Sequence, residues 1–279
     1  MKNPIVKFII LIIVLAVLWK FFKPSHIGIS GAEIGVVEVK GTIRSSDTLV
    51  KWIKRLREDT DIKGILLRVD SPGGAVGPVQ EILEALKKTR KAGKPIVASF
   101  GSVAASGGYY VSLASNKIVA NPGTITGSIG VIAEFPVVSD LLKKLGIQYE
   151  IIKTGKFKDS GTPFRKMKPE EKKLLKDVLM DVYEQFVEEV ASARHIPADS
   201  VRRLADGRIF SGRMALKAGL VDTLGSIEDA VNILKKLAGI KGHVSLVYKK
   251  EKKRFSLIDL LINRLEGELG SFKILYRMD

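Results

Sequence analysis

The feature that most constrains this chain is an alternation. Short apolar runs of strand length are separated by longer stretches whose apolar residues recur at helical spacing. GVVEV at 35–39, GILLRV at 64–69, PIVASF at 95–100 and KIVA at 117–120 are runs of the first kind, and QYEII at 148–152 reads as another. Between them, Leu49, Trp52, Ile53 and Leu56 fall at i, i+3, i+4, i+7, as do Val79, Ile82, Leu83 and Leu86. A longer segment opens at Pro169-Glu170-Glu171 and continues through Leu175, Val178, Leu179, Val182 and Phe186. Strands separated by helices need crossover connections, so the chain is expected to build a mostly parallel α/β sheet covered by helices. A last strand is expected near 244–248, and no period of solenoid length appears.

Composition removes several kinds of chemistry. With no Cys there is no disulfide framework, thiolate metal site or Cys nucleophile, and the three His are too dispersed for a zinc cluster. No cofactor or metal is expected. The net charge of +16 is unevenly spread: residues 141–176 hold eleven Lys and Arg against four acids. No basic stretch interleaves with stacking aromatics, so nucleic acid is not an expected partner. A solvated surface or a face beside anionic lipid fits better.

Residues 4–22, PIVKFIILIIVLAVLWKFF, are apolar apart from Lys7 and Lys20. As a helix they span roughly 28 Å, close to the ~30 Å hydrocarbon thickness of a bilayer, and both Lys can snorkel. Trp19, Phe21 and Phe22 stand where a cleaved leader needs small residues. The expected organisation is a membrane anchor and linker at 1–26, an α/β domain at 27–248 and a basic amphipathic tail at 249–279. Lysines flank the apolar stretch on both sides, so charge alone barely orients it.

Two glycine-rich turns follow strand-like runs, at the sheet edge where sites form. In Asp70-Ser71-Pro72-Gly73-Gly74 the paired Gly permit positive φ, so backbone N–H groups can converge on an anion; an ordinary β–α turn is the plain alternative. In the second, 101–110, small residues flank Ser106 just before a helical stretch; Ser106 is either a helix cap or a reactive hydroxyl. Ala104 occupies the first Gly position of G-x-S-x-G, so the nucleophile elbow of an α/β-hydrolase is absent. None of His26, His195 and His243 lies in a glycine-rich turn, which makes lysine the economical base for a serine nucleophile. A lysine base must be neutral, and lowering an ammonium from about 10.4 to about 7.4 costs roughly 4 kcal/mol, which burial and neighbouring positive charge can supply. Lys158, in KTGKFKD at 153–159, is the candidate; solvated surface is its plain alternative.

Taken together, DSPGG at 70–74, ASGGYY at 105–110, TGSIGV at 126–131, GKFKD at 155–159 and GRIFSGRMALKAGLVDTLG at 207–225 strongly resemble the signal peptide peptidase A family, in its short membrane-anchored form. The resemblance covers roughly residues 35–237. It implies a Clp-protease/crotonase-like fold after one N-terminal transmembrane helix. It also implies Ser106 as nucleophile, Lys158 as general base, Ser128 as the hydroxyl that orients the lysine, and Gly73 with Gly107 as oxyanion-hole donors. It further implies cleaved signal peptides and other apolar peptides as substrates, and hydrolysis without ATP or metal. The cytoplasmic N-terminus, the catalytic domain outside the cell membrane and a homo-oligomeric ring whose neighbours complete each active site belong to the same expectation. Three readings compete with it: a protease acting on other membrane proteins, a non-catalytic tethered scaffold, and an acyl-CoA enzyme of the same architecture.

Overall fold

A computed structural model describes residues 32–249. The expected anchor at 4–22 and the amphipathic stretch from Ile258 onward lie outside these residues. Among the described residues no helix is long and apolar enough to cross a membrane.

The chain runs β1 (Ala32–Lys40), α1 (Asp47–Glu58), β2 (Ile62–Ser71), α2 (Val76–Lys91), β3 (Ile96–Ala105), α3 (Gly107–Ser112), β4 (Lys117–Ala120), β5 (Ile125–Gly127), α4 (Ser139–Lys144), α5 (Pro169–Arg194), α6 (Ala198–Leu204), β6 (Ile209–Ser211), α7 (Gly212–Lys217), β7 (Thr223–Leu224), α8 (Ile227–Leu237) and β8 (Val244–Val247). Hydrogen bonding orders the sheet β6-β5-β3-β2-β1-β8, with β4 beside β3 and β7 beside β4. Every pairing is parallel except β5 with β6.

Side chains alternate across the sheet as the pleat requires. Val37 and Val39 of β1, Ile65, Leu67 and Val69 of β2, and Ile96, Ala98 and Phe100 of β3 face one core, shared with residues of α1, α2, α3 and α5. Ile34, Val36, Leu66 and Val97 face the other, against Ala230 and Leu234 of α8. Burial on both faces is why these strands read as continuous apolar runs. Leu67 is fully buried at the centre, so Leu67→Ala is expected to lower unfolding free energy by about 2–5 kcal/mol, read from the denaturant midpoint. A loss under about 1 kcal/mol would mean that the site collapses around the smaller side chain.

β3 divides near its middle. Its first half pairs with β4 at Val97–Ser99 and its last three residues pair with β5. Between Val69 and Ser71 the register against β2 shifts, and Val103 N–H donates to Asp70 Oδ1 at 3.0 Å. A Cβ on Gly101 would stand 2.8 Å from Asp70 Cγ, so the glycine makes room for that carboxylate.

The strand expected at 148–152 is not formed; these residues carry no regular structure. Ile152 is 94% exposed, and Tyr149 stacks on Phe164 with ring centroids 3.8 Å apart. The run therefore gains neither a neighbouring strand nor burial. It belongs to a segment, 131–168, held by local contacts: Val138 N–H donates to Pro163 O at 2.7 Å, and the Phe135 ring occupies the space a Gly161 Cβ would take.

Candidate active site

β3 ends at Ala105 and α3 begins at Gly107, leaving Ser106 to make the turn between them. It does so with φ 51° and ψ −121°. Positive φ costs an L-residue roughly 1–2 kcal/mol. Among the described residues only Ser106, Ser128 and His195 do this without being glycine. His195 is the left-handed C-cap of α5, an ordinary use of that conformation. The other two are serines of one cavity. Ser106 N–H donates to Gly127 O at 2.8 Å, and Ser128 N–H donates to Arg208 O at 2.8 Å, so β5 and the approach to β6 hold both turns. Strain kept in place by surrounding hydrogen bonds is characteristic of functional sites.

The loop after β2 lies directly against this turn. Gly73, at φ 105°, has no room for a side chain: a Cβ there would stand 2.6 Å from Gly107 N and 3.0 Å from Ser106 Cβ. Similarly, a Cβ on Gly107 would meet Val79 Cγ2 at 2.7 Å and Gly74 N at 3.2 Å. The loop is tied on its far side, where Ile43 N–H donates to Gly73 O and Ala75 N–H donates to Ile43 O, each at 2.8 Å. Ser71 Oγ accepts from Gly73 N–H at 3.1 Å and donates to Gly41 O at 2.6 Å. Gly73 N–H is thus engaged within its own loop, whereas Gly74 N–H stands outside the bridge to Ile43. Gly107 N–H belongs to the first turn of α3, where amides lack helical acceptors.

Ser106, Gly107, Gly74 and Ser128 line a cavity of about 540 Å³. Its other walls come from far along the chain: Val182, Tyr183 and Phe186 of α5, and the 205–207 turn. Tyr110 packs edge-on against Phe186 at 4.9 Å, and burial raises its hydroxyl pKa. Asp206 lies at the wall with its carboxyl held at about 2, chiefly by hydrogen bonds from Arg208. No Lys or His is among the lining residues. Sequence reading missed Asp206, Tyr183 and Gly74; only Gly74 had a signal, as the second glycine of DSPGG. Among the described residues no three His, Asp or Glu stand together as metal ligands.

The structure thus brings Ser106, Gly73, Gly107 and Ser128 together and leaves Lys158 apart. Lys158 sits in consecutive turns, its N–H donating to Gly155 O at 3.2 Å, with its side chain exposed and outside the lining of the cavity.

Residues 88–241 match the model of peptidase family S49. "Putative protease slr0021" of Synechocystis is 43% identical over 210 residues, 75% of this chain and 75% of the relative. This chain belongs to peptidase family S49. An Enterococcus faecium relative, "Putative signal peptide peptidase SppA", is 41% identical over 204 residues, covering 73% of this chain and 59% of that protein. "Protease 4" of Salmonella typhi is 33% identical over 240 residues, 86% of this chain but 38% of its own length. These names bear out the resemblance to the signal peptide peptidase A family. The S49 match contains Ser106, Ser128 and Lys158, while the Gly73 loop precedes it.

Proposed function

We propose that this S49 protein is a membrane-anchored serine endopeptidase that uses Ser106 and Lys158 to hydrolyse cleaved signal peptides and other apolar peptides. The observation that carries this reading is the strained Ser106, wedged against Gly73 and Gly107 and lining a cavity that also holds Val76, Val79, Ile132, Val182 and Phe186.

In the proposed reaction Ser106 Oγ attacks the scissile carbonyl while neutral Lys158 Nζ takes the hydroxyl proton. The carbonyl oxygen becomes an oxyanion and accepts hydrogen bonds from Gly107 N–H and from the 73–74 turn. Either Gly73 N–H exchanges its Ser71 partner for the oxyanion, or Gly74 N–H takes that place. Such donors are each worth about 10²–10³ in rate. The tetrahedral species collapses as Lys158 returns the proton to the departing amine. Water, deprotonated by the same lysine, then releases the acyl group from Ser106. Ser128 Oγ, in the same cavity as Ser106, orients the amine.

An exposed lysine is a poor base, because solvent favours its charged form. Lys158 therefore acts after burial against a neighbouring copy, in a homo-oligomeric ring where one chain supplies Ser106 and the next supplies Lys158. Apolar side chains left on the surface of the same region support such an assembly: Ile132 is 82% exposed, and Leu141, Leu145 and Val178 are exposed beside it in sequence or on α5. An anchor at 4–22 places the ring at the cell membrane with its catalytic domains outside, close to peptides left in the bilayer after secretion. The amphipathic tail beyond Ile258 has no assigned role in this scheme.

The direct test is turnover of short apolar fluorogenic peptides by the full chain in detergent, with a chelator and without ATP. Wild type is expected to be active and indifferent to chelator, and Ser106→Ala inactive. Equal turnover by the two folded proteins would end the serine reading and favour a tethered scaffold.

A further inference from the structure

Of the three lysines in residues 153–159, the two other than the proposed base are committed to carboxylates. Lys153 Nζ donates to Asp159 Oδ1 and, at 2.9 Å, to Lys156 O. Lys156 Nζ stands 3.3 Å from Glu170 Oε1. Lys158 has no carboxylate partner among the described residues, although Asp159 follows it directly. That carboxylate faces elsewhere. Its side chain is only 9% exposed, and Oδ2 accepts from Arg165 Nε at 2.8 Å. The same guanidinium reaches Glu171, whose Oε2 accepts from Arg165 Nη1 at 2.8 Å and from Lys168 N–H at 2.8 Å. Glu171 is 1% exposed and closes the capping box of α5.

One planar cation thus joins two nearly buried carboxylates, one beside Lys158 and one in the first turn of a 26-residue helix. Burying two carboxylates against a partly exposed guanidinium is a weak route to stability, since apolar replacements often serve as well. Its distinctive product is fixed geometry, because a guanidinium fork constrains direction as well as distance. The backbone bonds of the turn that gains this constraint are short-range, among them Lys158 N–H to Gly155 O and Thr162 N–H to Asp159 O, and Lys153 ties it only to itself. Lys156 with Glu170 supplies a second tie to the same helix turn, so Lys158 is bracketed on both sides.

We infer that Arg165, acting through Asp159 and Glu171, is a positioning residue that holds the Lys158 turn at a fixed place against α5. This inference rests on Lys158 being the general base. A base displaced by about 1 Å can cost around 100-fold in turnover while leaving peptide binding intact.

The test uses the full-length protein in detergent, with Arg165→Met, Arg165→Lys, Asp159→Asn and Lys158→Ala beside wild type. Arg165→Met and Asp159→Asn are expected to lower kcat about 10–100-fold with KM within about twofold, and to move the acidic limb of the kcat/KM profile by about half a pH unit or more. Arg165→Lys keeps the charge without the fork and is expected to recover part of kcat. Should Arg165→Met fail to fold, Asp159→Asn decides alone, since it leaves the Arg165–Glu171 pair in place. Wild-type kcat and pH profile in the folded variants would overturn the inference, including where only the thermal midpoint falls, because that is the signature of a purely structural cluster. Undiminished turnover in Lys158→Ala would remove the dyad reading itself and this inference with it, an outcome distinct from the others.

Discussion

Full-length Ser106→Ala and Lys158→Ala proteins, each reduced at least about 10³-fold alone, are expected to regain about a quarter of wild-type peptidase activity when co-expressed in equal amounts. The fraction follows from random assembly. If each site takes its serine from one chain and its lysine from the next, intact Ser106 meets intact Lys158 at roughly one interface in four. The expectation comes from the separation within one chain, where Ser106 lines the cavity and Lys158 lies outside it, exposed. It also agrees with the exposed apolar residues of the 131–180 region. A lysine acting within its own chain gives the opposite result, since every chain in the mixture lacks one half of the dyad and turnover stays at the level of the single variants. Separation of mixed from unmixed oligomers by two affinity tags assigns any recovered activity to the mixed species.

The parts legible in the sequence were those dominated by local pattern. β1 to β4 are buried on both faces over most of their length, so each shows a short, mostly apolar run, and α1 and α2 show the helical period of their buried sides. Residues 148–152 carry the same composition as a strand but meet no partner, because pairing is a non-local event that composition does not report. Conversely, β5 and β6 are three residues each, too short for any period, yet they pair to hold the Ser106 and Ser128 turns. The cavity divides in the same way. Gly73, Ser106 and Gly107 stand on two turns whose glycines announced them. The far wall, with Tyr183, Phe186 and Asp206, arrives from residues about a hundred positions later and left no local sign. Arg165, Asp159 and Glu171 looked like part of a solvated basic stretch; only the structure shows two of those charges nearly buried.

Gly73→Ala is expected to lower kcat by about 10²–10³ while Gly93→Ala leaves it unchanged. The comparison separates two effects of adding one methyl group. Both glycines have positive φ, 105° and 87°, so both substitutions impose a conformational cost of about 1–2 kcal/mol. Around Gly93 nothing lies within 4 Å of the new Cβ, so that cost appears only as a lower unfolding midpoint. At Gly73 the methyl group would meet Gly107 N at 2.6 Å, Ser106 Cβ at 3.0 Å and Ala105 O at 3.1 Å. The Ser106 turn and the 73–74 loop must then move apart, which pulls the nucleophile and the oxyanion donors out of register. Unfolding midpoints and peptide turnover, measured on both variants, discriminate the outcomes. Near-wild-type kcat in a folded Gly73→Ala protein would remove this contact from the catalytic geometry. Equal activity loss in both variants would place the effect in global stability rather than at the nucleophile.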